Sequence, residues 1–122
     1  MSVELSFRET KSVSIVSIAG KLTLGEGVGA LRHKLSAMAR EGHKNILLDL
    51  GGLSHLDSSG IGVLVSSYAS ISNLGGKLKL LNVTSRVKDL LLLTKLYTVF
   101  EVFDDEAAAI RSYSGAPIAS GE

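Results

Sequence analysis

The sequence predicts an α/β domain in which about four helices pack on a mixed, mostly parallel sheet of about five strands. Three observations lead there. Two strand-like runs with alternating polarity open the chain. Helix-spaced and strand-like apolar runs then alternate to its end. The turn glycines Gly42, Gly75 and Gly76 fall between those runs. With 122 residues the chain corresponds to one domain at the usual ~100–200 residues each. We assign 1–113 to that domain. The tail 114–122, rich in Ser, Gly and Ala with one Pro, is expected to be disordered.

The elements follow in order. Val3-Glu-Leu-Ser-Phe-Arg8 and Ser12-Val-Ser-Ile-Val-Ser-Ile18 alternate apolar and polar residues, as half-buried strands do. Lys11 lies at the turn, so they form a hairpin, and Gly20 closes the second strand. From Gly25 to about Glu41, the apolar residues Val28, Leu31, Leu35 and Met38 make one helical stripe. Arg32, His33, Lys34 and Arg40 fall off it, and Gly42 is the C-cap. Asn45 to Leu50 is nearly all apolar, as a strand covered on both faces should be. The next helix runs from Ser58 to Asn73 with Ile61, Leu64, Val65, Tyr68 and Ile71 as its buried stripe, and Gly75-Gly76 ends it. Leu78, Leu80 and Val83 mark a strand. Ser85–Lys95 is a third helix, capped by Thr84 or Ser85, with Val87, Leu90 and Leu91 facing in. Phe100–Phe103 is the last strand. Asp104, Asp105 and Glu106 then place acids at the start of a final helix, where the helix dipole favours them.

Composition removes several function classes. Hydrophobic residues make up 45% and charged residues 20%, typical of a folded domain. Thirteen basic and 12 acidic residues give a net charge of +1 with no basic stripe, so no nucleic-acid partner is expected. The absence of cysteine excludes disulfides, thiol nucleophiles and thiolate metal sites. His33, His43 and His55 lack metal-ligand spacing. The first residues are acidic and alternating, unlike a signal peptide, so the expected location is cytoplasmic. Ser58 to Gly76 carries no charge, but its serines and glycines argue for a helix half-buried on a sheet and against a membrane span. Gly25-Glu-Gly-Val-Gly29 superficially resembles a nucleotide loop. No Gly-Lys-Ser/Thr follows it, so it is read as the start of a helix, and no cofactor is expected.

The most informative segment is Leu53-Ser-His-Leu-Asp-Ser-Ser-Gly-Ile-Gly-Val-Leu-Val65. It reads as strand, short loop, helix, with Asp57, Ser58 and Ser59 at the helix start. Any of the three oxygens is suited to accept a hydrogen bond from the first free backbone N–H groups. The same end carries about +0.5 of an elementary charge and accepts an anion readily. Gly62, Ser66 and Asn73 lie off the buried stripe and leave a flat, weakly polar face without the charges a solvated face usually carries.

In this context Asp57-Ser58-Ser59-Gly60-Ile61-Gly62-Val63 resembles the phosphorylation motif of bacterial anti-sigma factor antagonists, which are STAS domains. Gly20-Lys-Leu22, Leu74-Gly-Gly76, Ser85-Arg-Val-Lys-Asp-Leu-Leu91 and Leu96-Tyr-Thr-Val-Phe100 extend the similarity over nearly the whole chain. The resemblance implies a non-catalytic protein with two partners. One is an anti-sigma factor that is also a serine kinase, bound while this chain is unphosphorylated. The other is a serine phosphatase that resets the switch. It assigns phosphate to Ser58, support of that site to Asp57, Ser59 and Gly60, and partner contact to the position of Thr23, while the uncharged helix face itself makes Gly62 and Ser66 candidates for partner contact. Many relatives carry an acid where this chain has Thr23. Two alternatives stay open. In one, the domain is a non-switching STAS adaptor in which Ser58 only caps. In the other, a small hydrolase or nucleotide-binding protein uses Ser58, with His55 as a conceivable partner.

Overall fold

A computed structural model describes residues 3–10 and 12–114. Lys11, assigned to the hairpin turn, lies outside the described residues, as does the tail expected to be disordered, apart from Ser114. The elements are β1 (Val3–Thr10), β2 (Val13–Leu22), α1 (Glu26–Arg40), β3 (Asn45–Leu56), α2 (Ser58–Asn73), β4 (Lys77–Leu81), α3 (Ser85–Leu93), a 3-10 turn (Leu96–Thr98), β5 (Val102–Phe103) and α4 (Glu106–Arg111). The strands form one sheet in the order β1-β2-β3-β4-β5. The β1–β2 hairpin is antiparallel and every later pairing is parallel. This is the α/β architecture expected from the sequence.

Strand alternation divides the core in two. Val16, Ile18, Leu22, Ile46, Leu48, Leu50, Leu78 and Leu80 meet α1, α2 and α3 on one face. Val13, Ile15, Leu47 and Leu81 meet Ala109 and Tyr113, of α4 and its end, on the other. β2, β4 and β3 as far as Leu50 are covered on both faces, which is why Asn45–Leu50 is an almost uninterrupted apolar run. β2, expected from its alternation to be half-buried, is covered on its polar side as well, with Ser14 buried. Tyr113 donates its hydroxyl to the carbonyl of Ile46 and fastens the chain end beneath the central strand. Burial raises the Tyr113 phenol well above its ordinary pKa, so it stays a donor throughout the ordinary pH range. Lys79 is buried at 5% exposure. Its ammonium bonds to the carbonyl and hydroxyl of Ser112 and to Glu101, which satisfies the charge.

Several details depart from the sequence reading. β3 continues six residues past Leu50, through Gly51 and Gly52, to the residue before Asp57. The glycines tolerate a local register shift against β2, and a side chain on Gly52 would press on Ala19 at 3.0 Å. The loop expected before α2 is therefore a single residue. Val83 lies beyond β4, β5 shrinks to two residues, and α3 stops at Leu93, before Lys95, whose φ of 65° ends the helix. The buried face of α2 consists of Gly60, Val63, Leu64, Ser67 and Ile71, with Ile61, Val65 and Tyr68 only half-buried. Small residues replace large ones where this helix touches the sheet and α1 most closely. α2 ends as expected: Gly75 at φ 84° lets the N–H of Gly76 bond the carbonyl of Ile71 at 2.8 Å.

Candidate functional site

The site is built where β3 becomes α2. Asp57 stands between them with extended backbone (φ −117°, ψ −172°) and is the N-cap. Of the three oxygens that the sequence left open, its carboxylate takes this role. One oxygen accepts from the N–H of Gly60 at 2.9 Å, satisfying one of the free donors of the first turn. The other accepts from the N–H of Leu24 at 3.0 Å, in the connection from β2 to α1. One side chain thereby ties two chain segments together. The Leu24 N–H first and the Gly60 N–H second hold the Asp57 carboxyl below the usual carboxylate range. It is an anion at neutral pH, and both of its oxygens are engaged.

With Asp57 as cap, Ser58 is freed from capping. It is the first residue of α2 and is exposed. Among the described residues no hydrogen bond engages its hydroxyl. Ser59 follows, half-buried. Gly60 is buried for a steric reason: a Cβ there would lie 2.3 Å from the carbonyl oxygen of Leu22 and 2.5 Å from Leu56 Cδ1. Only glycine lets the first turn of α2 rest on the ends of β2 and β3, and that contact fixes where Ser58 emerges. Thr23, half-buried, precedes Leu24 and is brought to the same corner by the Leu24–Asp57 bond.

Gly62 and Ser66 follow Ser58 at four-residue intervals, and all three are exposed along one line of α2. A Cβ on Gly62 would meet nothing within 4 Å. Ser66 turns its hydroxyl back onto the carbonyl of Val63. The line ends at the exposed Asn73 and carries no charge. Beside it Arg32, Leu35, Ser36 and Ala39 of α1 and Ser66 and Ser70 of α2 border a shallow groove of about 200 Å³.

One feature of this corner was missed by the sequence reading. Leu24 is 80% exposed, an apolar side chain held in water next to the helix start by its own backbone bond to Asp57. A leucine between a threonine and a glycine, in a short connection without apolar periodicity, was the available signal. His55 makes no triad here. It is exposed, and its ring bonds the hydroxyl of Ser54, which in turn donates to the carbonyl of Gly20. The glycines at 25–29 start α1, with Gly25 at φ 122°. Among the described residues no cluster of three or more His, Cys, Asp or Glu is placed to hold a metal ion. Nor is any helix among them long and apolar enough to cross a membrane.

The STAS domain family model matches residues 4–109. The chain is 27% identical over 110 residues to the anti-sigma F factor antagonist of Paenibacillus polymyxa, covering 90% of this chain and 94% of that protein. Its fold superposes on the crystal structure of an anti-sigma factor antagonist from Mycobacterium paratuberculosis with a TM-score of 0.82 at 19% identity, covering 92% and 94% of the two chains. It also matches the Bacillus cell fate determinant SpoIIAA in its phosphorylated form, at a TM-score of 0.70 and 22% identity over 91% and 99%. A match across residues 4–109, with the fold to accompany it, places this chain in the STAS domain family.

Proposed function

We propose that this chain is an anti-sigma factor antagonist switched by phosphorylation at Ser58. The observation that carries the proposal is an exposed, unengaged hydroxyl at the first position of α2, beside a carboxylate whose two oxygens are already occupied. The name of the Paenibacillus relative and the phosphorylated state of the Bacillus protein support the same reading.

The transfer is written for ATP on a partner kinase. Ser58 Oγ attacks the γ-phosphorus, the Oγ–P bond forms, the bond to the ADP oxygen breaks, and the hydroxyl proton passes to a base on the kinase. Asp57 is not that base. Its lowered pKa and its two N–H partners make it a poor proton acceptor, and its part is to fix the first turn. ATP and its magnesium belong to the kinase. Ser59 and Gly60 hold the backbone of the turn. Thr23, Gly62 and Ser66 form the neighbouring surface on which the anti-sigma factor docks.

The switch follows from charge. The phosphate adds about −1.5 to −2 charges beside the anionic Asp57. The helix dipole returns only ~0.3–1 kcal/mol to it, so the fold is little altered. A partner seated over a neutral hydroxyl and a flat helix face meets a concentrated negative charge and is released. A serine phosphatase restores the binding form. The test is incubation with the cognate kinase and ATP, followed by phosphopeptide mapping. One phosphate on Ser58 in the wild type and none on Ser58→Ala is expected. Stoichiometric phosphorylation of Ser58→Ala would refute the site.

A further inference from the structure

We infer that β1 is a self-association strand, pairing antiparallel with β1 of a second copy so that two five-stranded sheets join edge to edge. β1 ends the sheet, and its only strand partner among the described residues is β2. It is eight residues long, with an unbroken register against β2, no proline and no bulge. Edge strands are ordinarily blunted by prolines, bulges or charged side chains, because the unpaired N–H and C=O groups of a straight edge are a template for another strand. The charges of β1, Glu4, Arg8 and Glu9, are of both signs and so can pair across a two-fold axis, and of the two backbone devices, proline and bulge, there is no trace.

The register of self-pairing can be deduced. Only alternate residues of an edge strand direct their backbone groups outward, so each must pair with a residue of the same parity in the copy. The paired numbers therefore add to an even sum. A sum of twelve centres the two-fold axis on Ser6 and engages Val3 through Glu9 of both copies. Glu4 then faces Arg8 of the copy, and Arg8 faces its Glu4, on the sheet face that carries α4. Leu5 faces Phe7 of the copy on the opposite face, also twice. Charge opposes charge and apolar residue opposes apolar residue at the two positions on either side of the axis, the arrangement that stabilises cross-strand pairs, and only the outermost pair, Val3 with Glu9, is mismatched. The sums ten and fourteen leave Glu4 against Ser6 or Thr10, and fourteen also sets Leu5 against Glu9. Phe7 is 42% exposed, more than a phenylalanine in a finished sheet requires, and Leu5 is half-buried. Arg8 already bonds Glu106 but its side chain remains 52% exposed, so it can serve a second carboxylate from across the edge. A two-fold axis perpendicular to the sheet keeps like faces together, which makes the contact isologous and closed at two copies.

The test uses sedimentation equilibrium and cysteine cross-linking. The chain has no cysteine, so Ser6→Cys introduces a single thiol on the two-fold axis. Residues directly opposite in an antiparallel pair lie about 4.5–5.5 Å apart at Cα, within the ~4.4–6.8 Å that a disulfide spans. Mild oxidation should give a covalent dimer of Ser6→Cys far faster than of Ser72→Cys, on the exposed end of α2. Glu4→Arg should weaken dimerisation by about tenfold, because it sets a second guanidinium opposite Arg8 at two symmetric positions. The charge-swapped pair Glu4→Arg with Arg8→Glu should restore it, with circular dichroism confirming the fold of each variant. A wild type that sediments as a monomer into the millimolar range would overturn the proposal. So would Ser6→Cys cross-linking no faster than Ser72→Cys. A dimer that Glu4→Arg leaves intact would overturn it too.

Discussion

Gly62→Ala separates stability from docking on α2. Gly62 is the fifth residue of a sixteen-residue helix and is exposed. A Cβ there meets nothing within 4 Å, and its φ is not among the positive values. Nothing in the folded chain opposes the methyl. Glycine in a helix interior is about 0.8–1.0 kcal/mol less favourable than alanine. The substitution should therefore stabilise the protein by about 1 kcal/mol, or a few degrees in Tm for a domain of this size. If Gly62 lies under the docked anti-sigma factor, the same methyl protrudes into a close-fitting interface. Overpacking there costs about 1–3 kcal/mol, or roughly five- to 150-fold in affinity. Urea denaturation followed by circular dichroism gives the first quantity, and isothermal titration against the purified anti-sigma factor gives the second. A rise in stability with a loss of affinity is expected. Higher stability with unchanged affinity would remove Gly62 from the docking surface. Lower stability would refute the reading of this face as open.

Gly60→Ala should do the reverse, losing about 3 kcal/mol in urea denaturation, because its Cβ would stand 2.3 Å from the immovable carbonyl oxygen of Leu22. The Asp57 carboxyl has a lowered folded pKa, so its contribution to stability is present above the unfolded value of about 3.9 and is lost as pH falls through the folded value. Urea midpoints of Asp57→Asn should lie below the wild type at pH 7 and converge on it in acid. A constant gap between the two down to about pH 2 would count against the assignment. Tyr113→Phe leaves the buried carbonyl of Ile46 without its hydroxyl donor and should lower stability by about 1 kcal/mol at neutral pH, measured by thermal unfolding.

The strand and helix order was legible because each element carries its own period and most of its own boundary. The apolar run at Asn45–Leu50 and the acids before α4 locate their elements without tertiary information. What failed depended on neighbours. β3 beyond Leu50 contains two glycines and a serine, and only its pairing with β2 holds it extended. The buried face of α2 includes Gly60 and Ser67, which no apolar periodicity can detect, since they are buried by the closeness of the contact and not by hydrophobicity. At the site, the motif placed Asp57, Ser58 and Ser59 at the start of α2 but left the capping oxygen open. Asp57 caps through the oxygen that accepts from Gly60, and its second oxygen reaches the N–H of Leu24, 33 residues earlier in the chain. That long-range bond also explains the exposed Leu24, and nothing local in the sequence encodes it.

In the proposed switch, phosphate on Ser58 breaks a complex which the unmodified surface makes. The most direct measurement is capture of the cognate anti-sigma factor by immobilised wild type, Ser58→Ala and Ser58→Glu, with the bound protein identified by mass spectrometry. Wild type and Ser58→Ala should retain it, and Ser58→Glu should lose it. Equal retention by all three would make the domain a non-switching adaptor and leave Ser58 as no more than the first residue of a helix.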